Sequence, residues 1–306
     1  MSRPDVDPLL PSWRPGATRD ALVAFLDASL DRPVGERVAA FDNDGTLWSE
    51  QPFVQLAFLE DAVQAAVAAD PTLAGRAEYA ALLEGDRAAM GELGLTRIAL
   101  ALAELFEGET PEQFTEKART FMAGAHHPSL DRPLRATTYQ PMLELLDELR
   151  RRDFTVFIVS GGGTEFVRAV SDDLYGVAPE AVVGTLIAYD VTRRADGAPE
   201  LRRTARVLGE ANEGPAKIAN MHSQLGRRPI LGVGNSGGDR DLLEWACAGG
   251  EPSLALLVDH DDAEREFAYR SVAQTFAEDE PITEVAERLG WTVVSMARDW
   301  AQVFPT

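Results

Sequence analysis

Short apolar runs and stretches with helical spacing alternate along this chain. Thr18 to Leu30 carries apolar residues every three or four positions, which predicts a helix capped by Thr18. Arg37 to Phe41 is an apolar run that stops at Asp42-Asn43-Asp44-Gly45-Thr46, predicting a strand that ends in a polar corner. From Phe53 to Phe121 the spacing is helical, with breaks at Pro71, Gly85, Gly91, Gly94 and Thr110-Pro111 and no strand-like run. This stretch reads as a small helical bundle, different in character from its flanks. Beyond it, Pro141 to Arg151 predicts a helix with Met142, Leu145, Leu146 and Leu149 on one face. Phe154 to Val159 predicts a strand ending in Ser160-Gly161-Gly162-Gly163, followed by a helix from Glu165 to Tyr175. Val182 to Val191 and Glu200 to Ala205 flank Asp196-Gly197, a hairpin signal. A helix around Lys217 to Leu225 leads to a strand at Pro229 to Val233, which ends in Gly234-Asn235-Ser236-Gly237-Gly238-Asp239. Ser253 to Val258 and Thr292 to Met296 predict two more strands. Strands alternating with helices imply an α/β fold with a parallel, doubly wound sheet.

Composition narrows the function. The chain has 306 residues, 45% apolar and 26% charged, enough for a sizeable core without covalent staples. Its one cysteine, Cys247, excludes an internal disulfide framework and a multi-cysteine metal site. The four histidines (His126, His127, His222, His260) leave little for a histidine-rich metal centre. Lysine plus arginine number 29 against 50 acids, a net charge of −21. That surface repels a phosphate backbone, so nucleic acid is not an expected partner. An anionic small substrate would need a local cation. No apolar run is long enough for a membrane span, and the first residues lack an export pattern, so a cytoplasmic location is expected.

In a parallel sheet the three polar corners converge on one edge. Asp42 and Asp44, separated by one residue past a strand, point in related directions; one can attack while the other donates and accepts a proton. Gly45 permits a sharp turn. Ser160 with its glycines offers a hydroxyl and free backbone N–H groups to phosphate oxygens. Asn235 and Asp239 supply oxygen ligands suited to a hard cation such as Mg²⁺.

This combination resembles the haloacid dehalogenase superfamily, and within it the phosphoserine-phosphatase-like branch. Asp42-Asn43-Asp44-Gly45-Thr46 matches the first family motif, Val159-Ser160-Gly161 the second, and Lys217 the third-motif lysine. Gly234 to Asp239 resembles the fourth motif, with Asn235 in place of its first aspartate. The resemblance implies a Rossmannoid core over residues 1–49 and 137–306 and an inserted helical cap over residues 50–136. It implies a Mg²⁺-dependent phosphomonoester hydrolase acting on a small phosphorylated metabolite. Asp42 would be the nucleophile and Asp44 the general acid and base. Ser160, the Gly161 backbone and Lys217 would hold the phosphoryl group. Mg²⁺ would be bound by the Asp42 carboxylate, the Asp44 backbone carbonyl and Asn235, with Asp239 behind them, orienting a bound water or Lys217. Glu50, just past the first motif, is a candidate substrate contact. Asp44 argues against a dehalogenase, which needs no acid there. Lys117, the only lysine of the cap, makes Schiff-base phosphonate chemistry a poor match. A weakened binding or regulatory protein on the same fold and a phosphomutase or phosphotransferase are the alternatives. Arg76, Arg87 and Arg97 are candidates to bind a substrate carboxylate.

Overall fold

Val38–Phe41 (β1) is apolar and buried at every position. A strand without alternation is buried on both faces, which puts it inside a sheet. The computed structural model describes residues 9–86, 89, 92–93 and 101–306, and in it β1 lies at the centre of seven strands. The others are β2 (Thr155–Gly163), β3 (Val182–Arg193), β4 (Pro199–Leu208), β5 (Leu231–Gly234), β6 (Leu254–Asp259) and β7 (Thr292–Ser295). The order is β4-β3-β2-β1-β5-β6-β7. Every pairing is parallel except the β3–β4 hairpin. β2 runs on through Gly163 instead of ending at Ser160, with a register shift against β3 between Val159 and Gly163.

The helices in chain order are α1 (Ala17–Ala28), α2 (Val54–Ala69), α3 (Ala77–Leu83), α4 (Pro111–Gly124), α5 (Gln140–Arg151), α6 (Thr164–Tyr175), α7 (Pro215–Leu225), α8 (Arg240–Cys247), α9 (Ile282–Leu289) and α10 (Met296–Asp299). Successive residues of β1 feed opposite faces, as the pleat requires. Ala39 and Phe41 join a core with Leu26 of α1, Leu145 of α5 and Phe166 of α6. Val38 and Ala40 join Phe157, Met221 of α7 and Leu242 of α8. α1 starts after Gly16 without a side-chain cap; Thr18 instead donates to Asp299 Oδ2 at 3.0 Å. A tertiary acceptor has taken the hydroxyl that local spacing assigned to a cap. The two ends of the described chain meet there. Trp13 and Trp300 pack edge to face at 6.1 Å, and Ala301 N donates to Ser12 O at 2.8 Å.

The sheet takes no strand from the described residues between 50 and 136. They have a small core of their own, with Val63, Tyr79, Leu82 and Leu102. A second, aromatic seam joins them to the main core: Phe58 lies 5.4 Å from Phe106 and 5.1 Å from Phe166. Gly108 and Glu109 also hydrogen-bond to the backbone of Arg203 on β4. His127 ties the two connecting segments together. Its Nδ1 accepts from Ser129 N and Leu130 N, so Nε2 carries the proton given to Gln51 O at 2.8 Å.

Candidate active site

The chain steps from β1 outward to β2 and β3, then returns beside β1 through β5 and continues outward on the other side. The crevice at such a reversal is where open α/β sheets hold ligands. Asp42 is the first residue past β1 and Asn235 the first past β5, and Asp42 N donates to Val233 O at 2.8 Å. Gly45 turns the chain with φ +74°, and a Cβ there would lie 2.0 Å from Asn235 Nδ2. Both conformation and space demand glycine.

That turn aims Asp44 at Trp48, whose Nε1 donates to Asp44 Oδ1 at 2.9 Å. Ser160 Oγ lies 3.5 Å from the other oxygen. Burial raises the Asp44 carboxyl above its ordinary value, against the hydrogen bonds of Trp48 and Asn43. Lys217, the third residue of α7, is buried and donates to Asp42 Oδ1 at 2.6 Å and to Asp239 Oδ1 at 2.5 Å. Burial opposes its charge, but the two carboxylates outweigh burial and hold the ammonium above its ordinary range. Burial, and then the charge of Asp239, raises the Asp42 carboxyl more than Lys217 lowers it. Oδ2 of Asp239 accepts the N–H groups of Asn235 and Ser236, both at 3.0 Å, and so shapes the corner after β5.

Thr46 Oγ1 lies 3.5 Å from Asp42 Oδ2 and 3.3 Å from Asn235 Oδ1, so both oxygens face the same hydroxyl. One carboxylate and one amide oxygen are hard donors, chemically fit for Mg²⁺. Among the described residues no cluster of three histidine, cysteine or acidic side chains forms a metal site. Asn235 Nδ2 faces away, donating to Glu50 Oε1 at 2.9 Å and to Ser271 Oγ at 3.0 Å. Glu50 Oε1 also accepts from Tyr269 OH at 2.9 Å. Burial pushes the Glu50 carboxyl up to about 7, with His260 pulling the other way.

A cleft of about 290 Å³ opens on Asp42, Asp44, Glu50, Gly161, Lys217 and Asn235. Ser160 and Asp239, fully buried, stand behind it. Sequence reading missed Tyr269, Ser271, Glu213 and Glu278. Glu213 accepts the N–H groups of Gln274 and Thr275, each at 2.7 Å. Glu278 Oε1 accepts Ala273 N at 2.7 Å and Gly237 N at 3.0 Å. Together they strap residues 270–278 across the cleft. Asn212, also missed, donates to Ser160 O at 2.8 Å and fixes the second corner. Two of the other candidates lie elsewhere. Arg76 pairs with Glu104 at 2.8 Å, and Lys117 pairs with Glu109. Arg87 and Arg97 lie outside the described residues. No described helix is long and apolar enough to cross a membrane.

Residues 39–244 match the family model of the haloacid dehalogenase-like hydrolases. Comparison with curated proteins gives no match. Among solved structures, a protein of unknown function from Bordetella pertussis is similar at 19% identity and a TM-score of 0.52, over 85% of this chain and 98% of that one. A functionally unknown protein from Anaerococcus prevotii is similar at 14% identity and a TM-score of 0.54, over 88% of each chain. A probable phosphoserine phosphatase from Vibrio cholerae is similar at 15% identity and a TM-score of 0.44, over 80% of this chain and 63% of that one.

Proposed function

The chain belongs to the haloacid dehalogenase-like hydrolase family, and on that premise we propose that it hydrolyses phosphomonoesters through a phosphorylated Asp42. The observation that carries this reading is the meeting of three strand-end corners, with Lys217 bridging Asp42 and Asp239 and Asp44 beside Ser160. A carboxylate oxygen of Asp42 attacks phosphorus and the bond to the ester oxygen breaks. Asp44 gives its proton to the departing alkoxide. Water then attacks the phosphorus of the aspartyl phosphate as Asp44 takes its proton back, releasing inorganic phosphate and restoring Asp42. The raised Asp44 carboxyl suits a group that must carry a proton part of the time. Lys217, Ser160 and the Gly161 backbone hold the phosphoryl oxygens. Asp42, Asn235 and the Asp44 carbonyl would hold Mg²⁺, which supplies positive charge to the phosphoryl group. Residues 50–136 act as a cap over the cleft, and Glu50 belongs to its wall.

Turnover of p-nitrophenyl phosphate with and without Mg²⁺ tests this. Asp42→Asn keeps the shape but removes the attacking charge, so the rate falls by about a thousandfold or more. Activity near that of the parent protein, with deamidation excluded by mass, would remove Asp42 from the mechanism.

A further inference from the structure

The cleft wall beyond the acids is apolar. Phe53, Leu56 and Leu59 line it from the start of α2, and Val272 lines it from the strap. A second chamber of about 370 Å³ shares Gln55, Leu56 and Leu59 with the first and continues between Phe58, Leu102, Phe106 and Ile187. We propose that the leaving group of the substrate carries no anionic group and is largely apolar, an alkyl or aryl group that runs from Asp44 along Leu56 and Leu59 toward the second chamber. This rests on the phosphatase reading above and adds the substrate class.

The charges of the cleft support it. The only cation among its described lining residues is Lys217, already held by Asp42 and Asp239. No other described lining residue offers a counter-charge to a substrate carboxylate. The acids outside the catalytic pair are also engaged. Glu50 accepts from Asn235, Tyr269 and Ser271, and Glu213 accepts from the strap backbone. A substrate ammonium at Glu213 would compete with those donors, whereas at Glu50 all three donors fall on Oε1 and Oε2 takes none of them. In the second chamber Arg203 is ion-paired with Glu165 and lies 3.9 Å from the centre of the Phe114 ring. Beyond the phosphoryl end of the cleft, what the described lining residues leave open to a ligand is largely apolar surface. Gln55 gives its Oε1 to Gly163 N, and its buried Nε2 has no hydrogen-bond partner. The carboxylate of a zwitterion such as phosphoserine would lose water and find no counter-charge among the described lining residues.

The test pairs turnover with binding. Hydrolysis of methyl, butyl and hexyl phosphate and of phosphoserine is compared, and calorimetry measures the corresponding alkylphosphonates and the phosphonate analogue of phosphoserine. Each methylene that enters the cleft is expected to raise kcat/KM and tighten phosphonate binding by up to about fourfold. Val272→Asp, at an exposed position, and Leu59→Asn should each flatten that slope. A flat or falling dependence on chain length, or phosphoserine outperforming hexyl phosphate, overturns the proposal. Phosphonate binding that tightens with chain length while no ester is hydrolysed overturns the phosphatase reading and supports the cleft assignment.

Discussion

Asn235 is neutral where the motif it resembles carries an acid, and Glu50 shows what the substitution accomplishes. The amide of Asn235 donates to the Glu50 carboxylate at 2.9 Å, so the two side chains share one negative charge. Aspartate at 235 would remove that donor and set two buried carboxylates in contact, which raises the pKa of both. Glu50 already carries a carboxyl raised from 4.5 to about 7 by burial. The sign follows from linkage. Stability that depends on protonated Glu50 is fully present below about pH 4.5 and is lost as pH rises through 7. Glu50→Gln keeps the oxygen that takes all three hydrogen bonds and carries no charge. Its melting temperature should match the parent protein near pH 4.5 and exceed it near pH 8, by on the order of 2 kcal/mol in stability. Asn235→Asp should melt lower than the parent protein at pH 8. Adding Glu50→Gln should recover most of that loss, since the charge has then only changed places. Additive shifts in the double variant would mean that the two residues do not couple.

At the scale of elements, the strap over residues 270–278 is held by two carboxylates that accept backbone N–H groups. Such charge-assisted bonds contribute about 1.5–3 kcal/mol each. Glu213→Gln leaves one of its acceptor sites as an NH₂ group facing a backbone N–H. Amide exchange at Gln274 and Thr275 should then accelerate about tenfold to a hundredfold, and KM for an apolar ester should rise more than kcat changes. Unchanged exchange would show that the strap is held elsewhere. Most regular elements could be read from local pattern: β1 from its unbroken apolar run, α5 from its 3.6-residue stripe, the β3–β4 hairpin from Asp196-Gly197. The strap could not. It has no periodicity, and its order comes from Glu213, about 60 residues earlier in the chain.

At the scale of the molecule, the same division holds for the site. Among the candidate site residues, Asp42, Asp44 and Asn235 were legible because each stands just past a recognisable strand, and Lys217 only through the order of the motifs that the chain resembles. The wall around them was not. Tyr269 meets Glu50 across 219 residues of sequence, and Ser271 meets Asn235 across 36. Such pairings depend on which strands become neighbours, and the linear pattern shows only that strands exist. Trp48 illustrates the limit at a single position. It stands just past the first motif, and in the fold it is fully buried with its indole N–H on Asp44.

The meeting of Trp13 with Trp300 has an engineering consequence. Segments that pass side by side there, Ser12-Trp13 and Trp300-Ala301, can be joined without stretching the fold, because the packing of the sheet does not depend on where the backbone is cut. The Arg194–Ala198 turn, exposed between β3 and β4 and far along the sheet from β1, offers a place for new termini. A circular permutant of residues 9–306, with a glycine-serine tether joining residue 306 to residue 9 and an opening at Asp196-Gly197, should fold, with far-ultraviolet dichroism and p-nitrophenyl phosphate turnover close to those of the parent chain. An insoluble or unfolded permutant would mean that the original order of synthesis, and not only the final packing of Trp13 on Trp300, is needed to reach this structure.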